Sequence, residues 1–151
     1  MKLSKLTRGA MIAALYAALT LIFAPISFGA VQCRVSEALC ILPLFFPDAI
    51  WGLFVGCFIS NVFMGSVLDM TLGALTTLIA AFLTYKTRKN LYLAIFFPVI
   101  LNALIVGGYL SFLYEGLPML LSMLYVGIGQ AISCYGLGLP LYYVLKTKFD
   151  N

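Results

Sequence analysis

The residues of this chain that could do chemistry are few, and each lies within or beside a long apolar stretch. Ionisable and amide side chains in such surroundings are costly unless they are paired or face a cavity, so each is a candidate binding residue. Carboxylates and amides next to aromatic rings would suit a flat, nucleobase-like solute. The candidates for substrate binding are Arg34, Glu37, Asn61, Asn102, Tyr109, Glu115 and Gln130.

Structural roles also explain these residues. Arg34 and Glu37 are one helical turn apart and could form a local pair at a helix end. Asn61 and Gln130 could join neighbouring helices through hydrogen bonds. The aromatic residues could form the belt that membrane proteins place at the lipid–water interface; they are Phe28, Tyr109, Phe112 and Tyr114. Both interpretations stay open at the level of the sequence.

Several reaction classes are disfavoured by what the chain lacks. It has four cysteines but no CxxC pair and no histidine, so zinc and iron–sulfur sites are not predicted. The absence of histidine also removes the commonest general base. There is no Walker A phosphate loop, no GxSxG elbow and no HExxH helix. We therefore predict no metal, no cofactor and no catalytic residue in this chain.

The composition indicates a membrane protein. Of the 151 residues, 64% are apolar and 9% are charged, and the mean hydropathy is +1.10. A chain of this size cannot bury so much apolar surface in one aqueous core. If each span takes about 20 residues, six spans use most of the chain. A sizeable soluble domain is thereby excluded.

Apolar segments predict one all-α domain over residues 1–151, with six transmembrane helices in a single bundle. Their approximate ranges are 9–28, 30–46, 49–64, 70–85, 91–110 and 117–145. The second is interrupted by Pro43 and is either a helix that begins near residue 30 or a broken helix buried among the others. The last could bend around Gly136 and Gly138. Asp48 is a candidate N-cap for the third helix.

The positions of the basic residues predict the orientation. Six spans place both termini and the loops after the second and fourth helices on one side. That side holds all the basic residues except Arg34: Lys2, Lys5, Arg8, Lys86, Arg88, Lys89, Lys146 and Lys148. By the positive-inside rule both termini are cytoplasmic, and the protein is a multi-pass protein of the cell membrane.

Small residues recur every fourth position on two predicted helices. Ala10, Ala14 and Ala18 form such a ridge on the first, and Gly52 and Gly56 begin another on the third. Ridges of this kind let a second helix approach closely. For the alanine ridge, packing within the chain and contact with a partner protein are equally compatible with the spacing.

Two stretches of the chain resemble a known family. Residues 31–45 read VQCRVSEALCILPLF, in which Gln32, Arg34 and the Ser36-Glu37-Ala38 run carry the specific spacing. Residues 52–57 read GLFVGC and are followed by Asn61, Leu68-Asp69 and Gly73. Over residues 31–84 the chain resembles the QueT family, whose members are substrate-binding S-components of energy-coupling factor transporters for queuosine precursors.

This resemblance implies a six-helix S-component with its pocket open to the outside. It also implies that a transmembrane coupling protein (the T-component) and two ATPases come from other chains and that only these partners use ATP. The small residues Ala10, Ala14 and Ala18 would face the coupling protein. A lipid bilayer and a small 7-deazaguanine such as 7-aminomethyl-7-deazaguanine are the remaining partners, and no nucleic acid is expected.

The resemblance also suggests a role for each candidate residue. A 7-deazaguanine offers adjacent N–H donors to one carboxylate, and its aminomethyl group offers a cation to a second. Glu115 and Glu37 are the predicted carboxylates, Arg34 would order the outer loop or polarise the base carbonyl, and Tyr109 would stack on the ring. The amides would read the remaining polar edge: Asn61, Asn102 and Gln130.

Two rival functions are compatible with the same residues. One keeps the S-component and changes the ligand to another vitamin or nucleobase. The other is a small membrane enzyme or an autonomous channel, which would act without ATPase partners.

Overall fold

The computed structural model of the protein describes residues 4–149, which form helices and no strand. Lys2, counted above among the basic residues, lies outside this range. We label six helices: α1 (Lys5–Ile22), α2 (Val35–Leu44), α3 (Ala49–Met64), α4 (69–86), α5 (Leu91–Leu113) and α6 (Met119–Phe149). A single helical turn, Ala24–Ser27, follows α1.

Three of the described helices are long enough and apolar enough to cross a membrane: α1, α5 and α6. The apolar helices α2 and α3 are shorter. Large apolar side chains cover the outside of the bundle; Trp51 is 64% exposed and Phe63 is 70% exposed. Such a surface is stable against lipid rather than water. The all-helical class and the apolar spans are confirmed, while the count of six spans stays a prediction.

The first helix is shorter than predicted. It ends at Ile22, and a separate turn begins at Ala24 with Pro25 in its first positions. The backbone leaves the helical conformation at Phe23, and Pro25 lacks the N–H that would continue the helical ladder of α1. The chain then runs without helix from Phe28 to Arg34, so the second helix does not begin near residue 30.

The second helix is a broken one buried among the others. Val35–Leu44 is a 3₁₀ helix of 10 residues, and every residue from Ser36 to Pro43 is buried. At a rise of about 2.0 Å per residue it is about 20 Å long, short of the hydrocarbon layer of about 30 Å. It forms the core of the bundle, where Leu39 and Ile41 pack in one cluster with Tyr16 and Leu53.

Helices α1 and α3 pack closely, with two glycines of α3 facing the backbone of α1. A Cβ on Gly52 would lie 2.6 Å from the Gly9 carbonyl oxygen, and one on Gly56 would lie 2.7 Å from the Ala13 carbonyl oxygen. The glycine ridge of α3 therefore packs inside the chain. Ala10, Ala14 and Ala18, by contrast, are exposed on the other side of α1.

Three helices contain a π-helical segment, in which each turn holds an extra residue. These segments are Asp69–Gly73 at the start of α4, Asn102–Val106 within α5 and Ile132–Leu137 within α6. The last lies where the sequence predicted a bend around Gly136 and Gly138.

The two ends of the bundle differ in charge. At one end Arg8 pairs with Asp48, and its guanidinium carbon lies 4.4 Å from the ring centre of Phe46. The ring centre of Phe149, at the end of α6, is 5.1 Å from that of Phe46, so the end of α6 lies at the same end of the bundle. Basic residues at the ends of α4 and α6, including Lys86, belong to the same end, because α4 begins at the opposite one. Arg34 is at that opposite end, where α3 finishes and α4 starts.

Asp48 does not cap α3 as the sequence predicts. Its side chain makes no capping hydrogen bond; instead its carboxylate accepts Arg8 Nε at 2.7 Å and Arg8 Nη2 at 2.5 Å. These hydrogen bonds from Arg8 hold the pKa of Asp48 below its ordinary value. The pair therefore ties the start of α1 to the start of α3.

We expect Asp48→Asn to lower the melting temperature by about 2–4 °C near pH 7, for a pair that contributes about 1 kcal/mol. The folded-state pKa of Asp48 is depressed, so this contribution is present above its ordinary pKa of about 3.9 and is lost as the pH falls through the lower folded value. Melting curves of the purified protein from pH 7 to pH 3 should show the two proteins converging at the acid end. Glu115→Gln, an exposed carboxylate, is the matched control and should not change the melting temperature; a gap between wild type and Asp48→Asn that is constant with pH would contradict the assignment.

Candidate functional site

Asp69 lies at the centre of a buried polar group at the end of the bundle opposite Arg8. It is 4% exposed and sits in the first turn of α4. Its Oδ2 accepts hydrogen bonds from the backbone N–H of Ser66 at 3.0 Å and from Ser66 Oγ at 2.8 Å, while Ser66 Oγ accepts the Asp69 N–H at 3.1 Å. This reciprocal arrangement is a capping box, which holds the carboxylate in place.

The other carboxylate oxygen of Asp69 collects donors from distant parts of the chain. Tyr109 on α5 donates its hydroxyl to Oδ1 at 2.7 Å. Gln32 Nε2 lies 3.4 Å from Oδ1, and Arg34 Nη2 lies 3.5 Å from it in a buried ion pair. Gln32 and Arg34 lie in the non-helical segment between the Ala24–Ser27 turn and α2. In an extended segment the side chains of alternate residues point to the same side, and here both approach Asp69. The site thus joins this segment to α4 and α5.

Asn61 and Cys57 on α3 form the inner side of the group. Asn61 Nδ2 donates to the Asp69 carbonyl oxygen at 2.8 Å and lies 3.4 Å from Cys57 Sγ, which Arg34 Nη1 approaches to 3.6 Å. Gly73 leaves the space for these side chains, since a Cβ there would lie 3.1 Å from Tyr109 Oη. Among the described residues, Arg34 Nη2 and Asn61 Oδ1 are buried without a hydrogen bond.

A cavity of about 280 Å³ opens against this group. Polar side chains form one part of its wall and apolar or aromatic side chains form the rest. Its lining residues are Phe28, Gly29, Gln32, Met64, Ser66, Asp69, Leu110, Leu113 and Tyr114. A carboxylate, a hydroxyl and an amide beside two aromatic rings are a suitable wall for a flat, polar-edged molecule.

Glu37 belongs to a second buried group, deeper in the bundle. It is 1% exposed; Tyr16 donates its hydroxyl to Oε1, and Cys40 Sγ lies 2.9 Å from Oε2. Cys134 Sγ lies 3.7 Å from the Glu37 carbonyl oxygen. Glu37 is not part of the cavity wall, and Arg34 pairs with Asp69 rather than with Glu37. The local Arg34–Glu37 pair is therefore not formed.

The remaining candidates lie apart from the cavity. Gln130 is 2% exposed and its amide oxygen lies 3.8 Å from Cys134 Sγ, beside the Glu37 group. Asn102 is buried on α5 and donates to the Pro98 carbonyl oxygen at 2.8 Å within its own helix. Glu115 is exposed in the loop between α5 and α6. The structure thus brings Arg34, Asn61 and Tyr109 together around Asp69. Glu37 lies in the adjoining buried group, which interacts electrostatically with Arg34 and Cys57, while Asn102, Glu115 and Gln130 lie outside the group around Asp69.

The aromatic residues near this end divide into three environments. Phe28 and Tyr114 line the cavity, and Phe28 also carries Arg34 over its ring at 5.3 Å from the ring centre. Tyr109 is 7% exposed and points its hydroxyl at Asp69. Phe112 is 79% exposed. Phe28 and Tyr114 are consequently the rings best placed to contact a molecule in the cavity.

Asp69, Gln32 and Ser66 were not among the residues predicted from the sequence to bind a ligand. A signal for them existed: Asp69 follows Ser66 with capping-box spacing, and Gln32 precedes Arg34 by two residues in an extended segment. Within residues 4–149 no group of three or more Cys, Asp or Glu side chains is arranged to hold a metal ion.

Comparison with known proteins places the chain in a family. A family model described as "QueT transporter" matches residues 6–147 of the 151. No curated protein and no solved structure matches the chain.

Proposed function

The chain belongs to the QueT transporter family, and from this we propose that it is the membrane-embedded S-component of an energy-coupling factor importer, binding a queuosine precursor of the 7-deazaguanine class. The observation that carries the proposal is the cavity at one end of the bundle, in which Asp69 and Gln32 lie in the same wall as Phe28 and Tyr114. A polar edge beside aromatic faces is what a flat heterocycle with several hydrogen-bonding groups requires.

The charge of the wall supports a base-like ligand. Asp69 can accept a ring N–H, and hydrogen bonds to a charged group contribute about 1.5–3 kcal/mol each. Stacking on an aromatic ring contributes about 1–3 kcal/mol. We assign Asp69 as the carboxylate that binds the ligand, rather than Glu37 or Glu115, which the sequence predicts. Asp69 lines the cavity and the two glutamates do not.

The size of the cavity favours a single bicyclic base over a larger vitamin. Its volume of about 280 Å³ lies just below the range of about 300–1,000 Å³ that is usual for pockets of drug-sized ligands. A 7-deazaguanine with a small substituent fits this volume better than a folate or a flavin does.

A ligand panel tests this assignment. We expect the purified protein to bind 7-aminomethyl-7-deazaguanine more tightly than guanine, folate or riboflavin, measured by isothermal titration calorimetry. Equal affinity for all four, or a preference for folate or riboflavin, would show that the chain is an S-component for a different ligand.

The orientation we propose places the cavity outside the cell and the Arg8 end in the cytoplasm. It rests on the basic residues, which favour the cytoplasmic side. Impermeant amine-reactive labelling of intact cells should leave Lys86 and Lys89 unmodified and label them after permeabilisation. Labelling from outside in sealed cells would reverse the orientation.

We also propose that α1 contacts a transmembrane coupling protein, which with two ATPases supplies the energy. Ala10, Ala14 and Ala18 are exposed on the side of α1 that α3 does not cover. A strip of small side chains permits close helix contact within a membrane. ATP would be used by the partners alone.

Enlarging this strip should prevent assembly without preventing ligand binding. We expect Ala14→Trp to reduce co-purification of the coupling protein and the ATPases at least tenfold, because a helix packed closely against Ala14 has no room for an indole. Ligand titration of the isolated variant should match wild type. The control is Ile128→Trp on α6, where the native side chain is already large and 56% exposed; equal loss of assembly in both variants would contradict a specific contact at Ala14.

Transport without partners would exclude this assignment altogether. In liposomes that contain only the purified chain, we expect no net solute flux. Flux without the ATPases would identify an autonomous channel, and conversion of the solute would identify an enzyme.

A further inference from the structure

Gln32 is a buried polar side chain of the cavity wall whose hydrogen bonding is incomplete. It lines the cavity and is 2% exposed. Its amide nitrogen lies 3.4 Å from Asp69 Oδ1, beyond the usual range of about 2.7–3.2 Å for a hydrogen bond. Among the described residues, this contact is the only hydrogen bond of the Gln32 side chain. The amide group is therefore held only weakly against the carboxylate.

The acceptor capacity of Asp69 shows where a ligand would enter. Its Oδ2 already accepts two hydrogen bonds from Ser66. Its Oδ1 accepts one short hydrogen bond, from Tyr109 at 2.7 Å, while Gln32 and Arg34 approach it only at 3.4 Å and 3.5 Å. A carboxylate oxygen has two lone-pair positions. The second position on Oδ1 is thus shared weakly by Gln32 and Arg34, and of these two side chains only Gln32 lines the cavity.

The backbone of Gln32 is fixed even though its amide is not. Gly129 on α6 packs against the Gln32 carbonyl group, where a Cβ would lie 2.7 Å from the carbonyl oxygen. An amide displaced from Oδ1 would therefore remain beside Asp69 rather than leave the site. The wall would then present an acceptor, Asp69 Oδ1, next to a donor, Gln32 Nε2.

We infer that Gln32 is a specificity-determining residue that recognises a ring lactam, an N–H next to a C=O, as in 6-oxo purines and 7-deazaguanines. The ring N–H takes the place of Gln32 Nε2 on Asp69 Oδ1, and Gln32 Nε2 donates to the adjacent ring carbonyl. A 6-amino ring presents the opposite order of donor and acceptor and is rejected. This inference rests on the proposed function, since it names the part of the ligand that the same cavity reads.

A comparison of two ligands isolates the contact of Gln32. 7-Deazaguanine and its 6-thio counterpart both keep the ring N–H, but sulfur is a much weaker acceptor than oxygen. We expect the wild-type protein to bind the oxo compound about tenfold more tightly, as for one buried hydrogen bond. In Gln32→Met, which has a similar volume but no donor, the two affinities should agree within about twofold.

The ratio of affinities distinguishes recognition from a structural effect. A variant that weakens both ligands equally and keeps the oxo preference would overturn the inference, as would a wild-type protein without that preference. If Gln32→Met does not fold, as judged by its melting curve, Gln32→Asn serves instead, since it withdraws the amide by one methylene and should also reduce the ratio. Failure of the proposed function looks different: neither compound would bind better than riboflavin.

Discussion

Replacing Asp69 with asparagine is expected to weaken binding of 7-aminomethyl-7-deazaguanine about 100-fold. The substitution keeps the size of the side chain but removes the charge that strengthens a hydrogen bond from a ring N–H, and a buried bond to a charged group contributes up to about 3 kcal/mol. It also leaves Arg34, which is 3% exposed, without its anionic partner. Isothermal titration of the purified variant measures the loss.

Glu115→Gln provides the matched control for this experiment. It makes the same chemical change in an exposed carboxylate that lies in the loop after α5 and does not line the cavity. We expect its affinity to equal that of the wild type. If Glu115→Gln lost the ligand and Asp69→Asn kept it, the carboxylate predicted from the sequence would be the correct one and the cavity would not be the binding site. The melting temperature of each variant without ligand shows whether the fold is intact.

Replacing Gly56 with valine should destabilise the protein more than any surface substitution. The new Cβ would lie 2.7 Å from the Ala13 carbonyl oxygen and 2.8 Å from Tyr16 Cβ, so α1 and α3 would have to separate. Overpacking of this kind costs about 1–3 kcal/mol or more. At the upper value we expect the melting temperature to fall by about 6–12 °C. Tyr16, which hydrogen-bonds Glu37, would move with α1.

Gly136→Ala is the corresponding control. Gly136 also lies in a helix, but a Cβ there would meet no atom within 4 Å. We expect it to leave the melting temperature unchanged or to raise it, because alanine has the higher helix propensity. Equal stability of Gly56→Val and the wild type would show that α1 and α3 are not packed as described.

The parts of the fold that local signals determine could be predicted from the sequence. Helix α3 occupies Ala49–Met64, the predicted range, between Pro47 and Gly65. The second helix could be recognised as short and interrupted, but its 3₁₀ geometry depends on being surrounded by other helices. The apolar run alone does not indicate the end of α1, because the run continues through the turn that contains Pro25.

The sequence identifies some members of the buried polar group around Asp69 and not others, for similar physical reasons, and their role in ligand binding stays a prediction. Arg34 and Asn61 stand out because polar side chains are rare in apolar stretches, and both lie in the buried group around Asp69. Asp69 and Glu115 look alike in the sequence, since each is an acidic residue after an apolar segment. Only the packing of α3, α4 and α5 buries the first and leaves the second exposed. That packing is long-range information, which spacing along the chain does not contain.

The π-helical segments make the protein more sensitive to changes in length than to changes in residue type. Each one inserts an extra residue into an otherwise regular helix, and one residue corresponds to about 100° of rotation. Deleting a single residue from Asn102–Val106 would restore a regular helix and turn the rest of α5 about its axis, carrying Tyr109 away from Asp69. The same rotation would displace Leu110, Leu113 and Tyr114, so a one-residue gap in this segment would give the cavity a different wall.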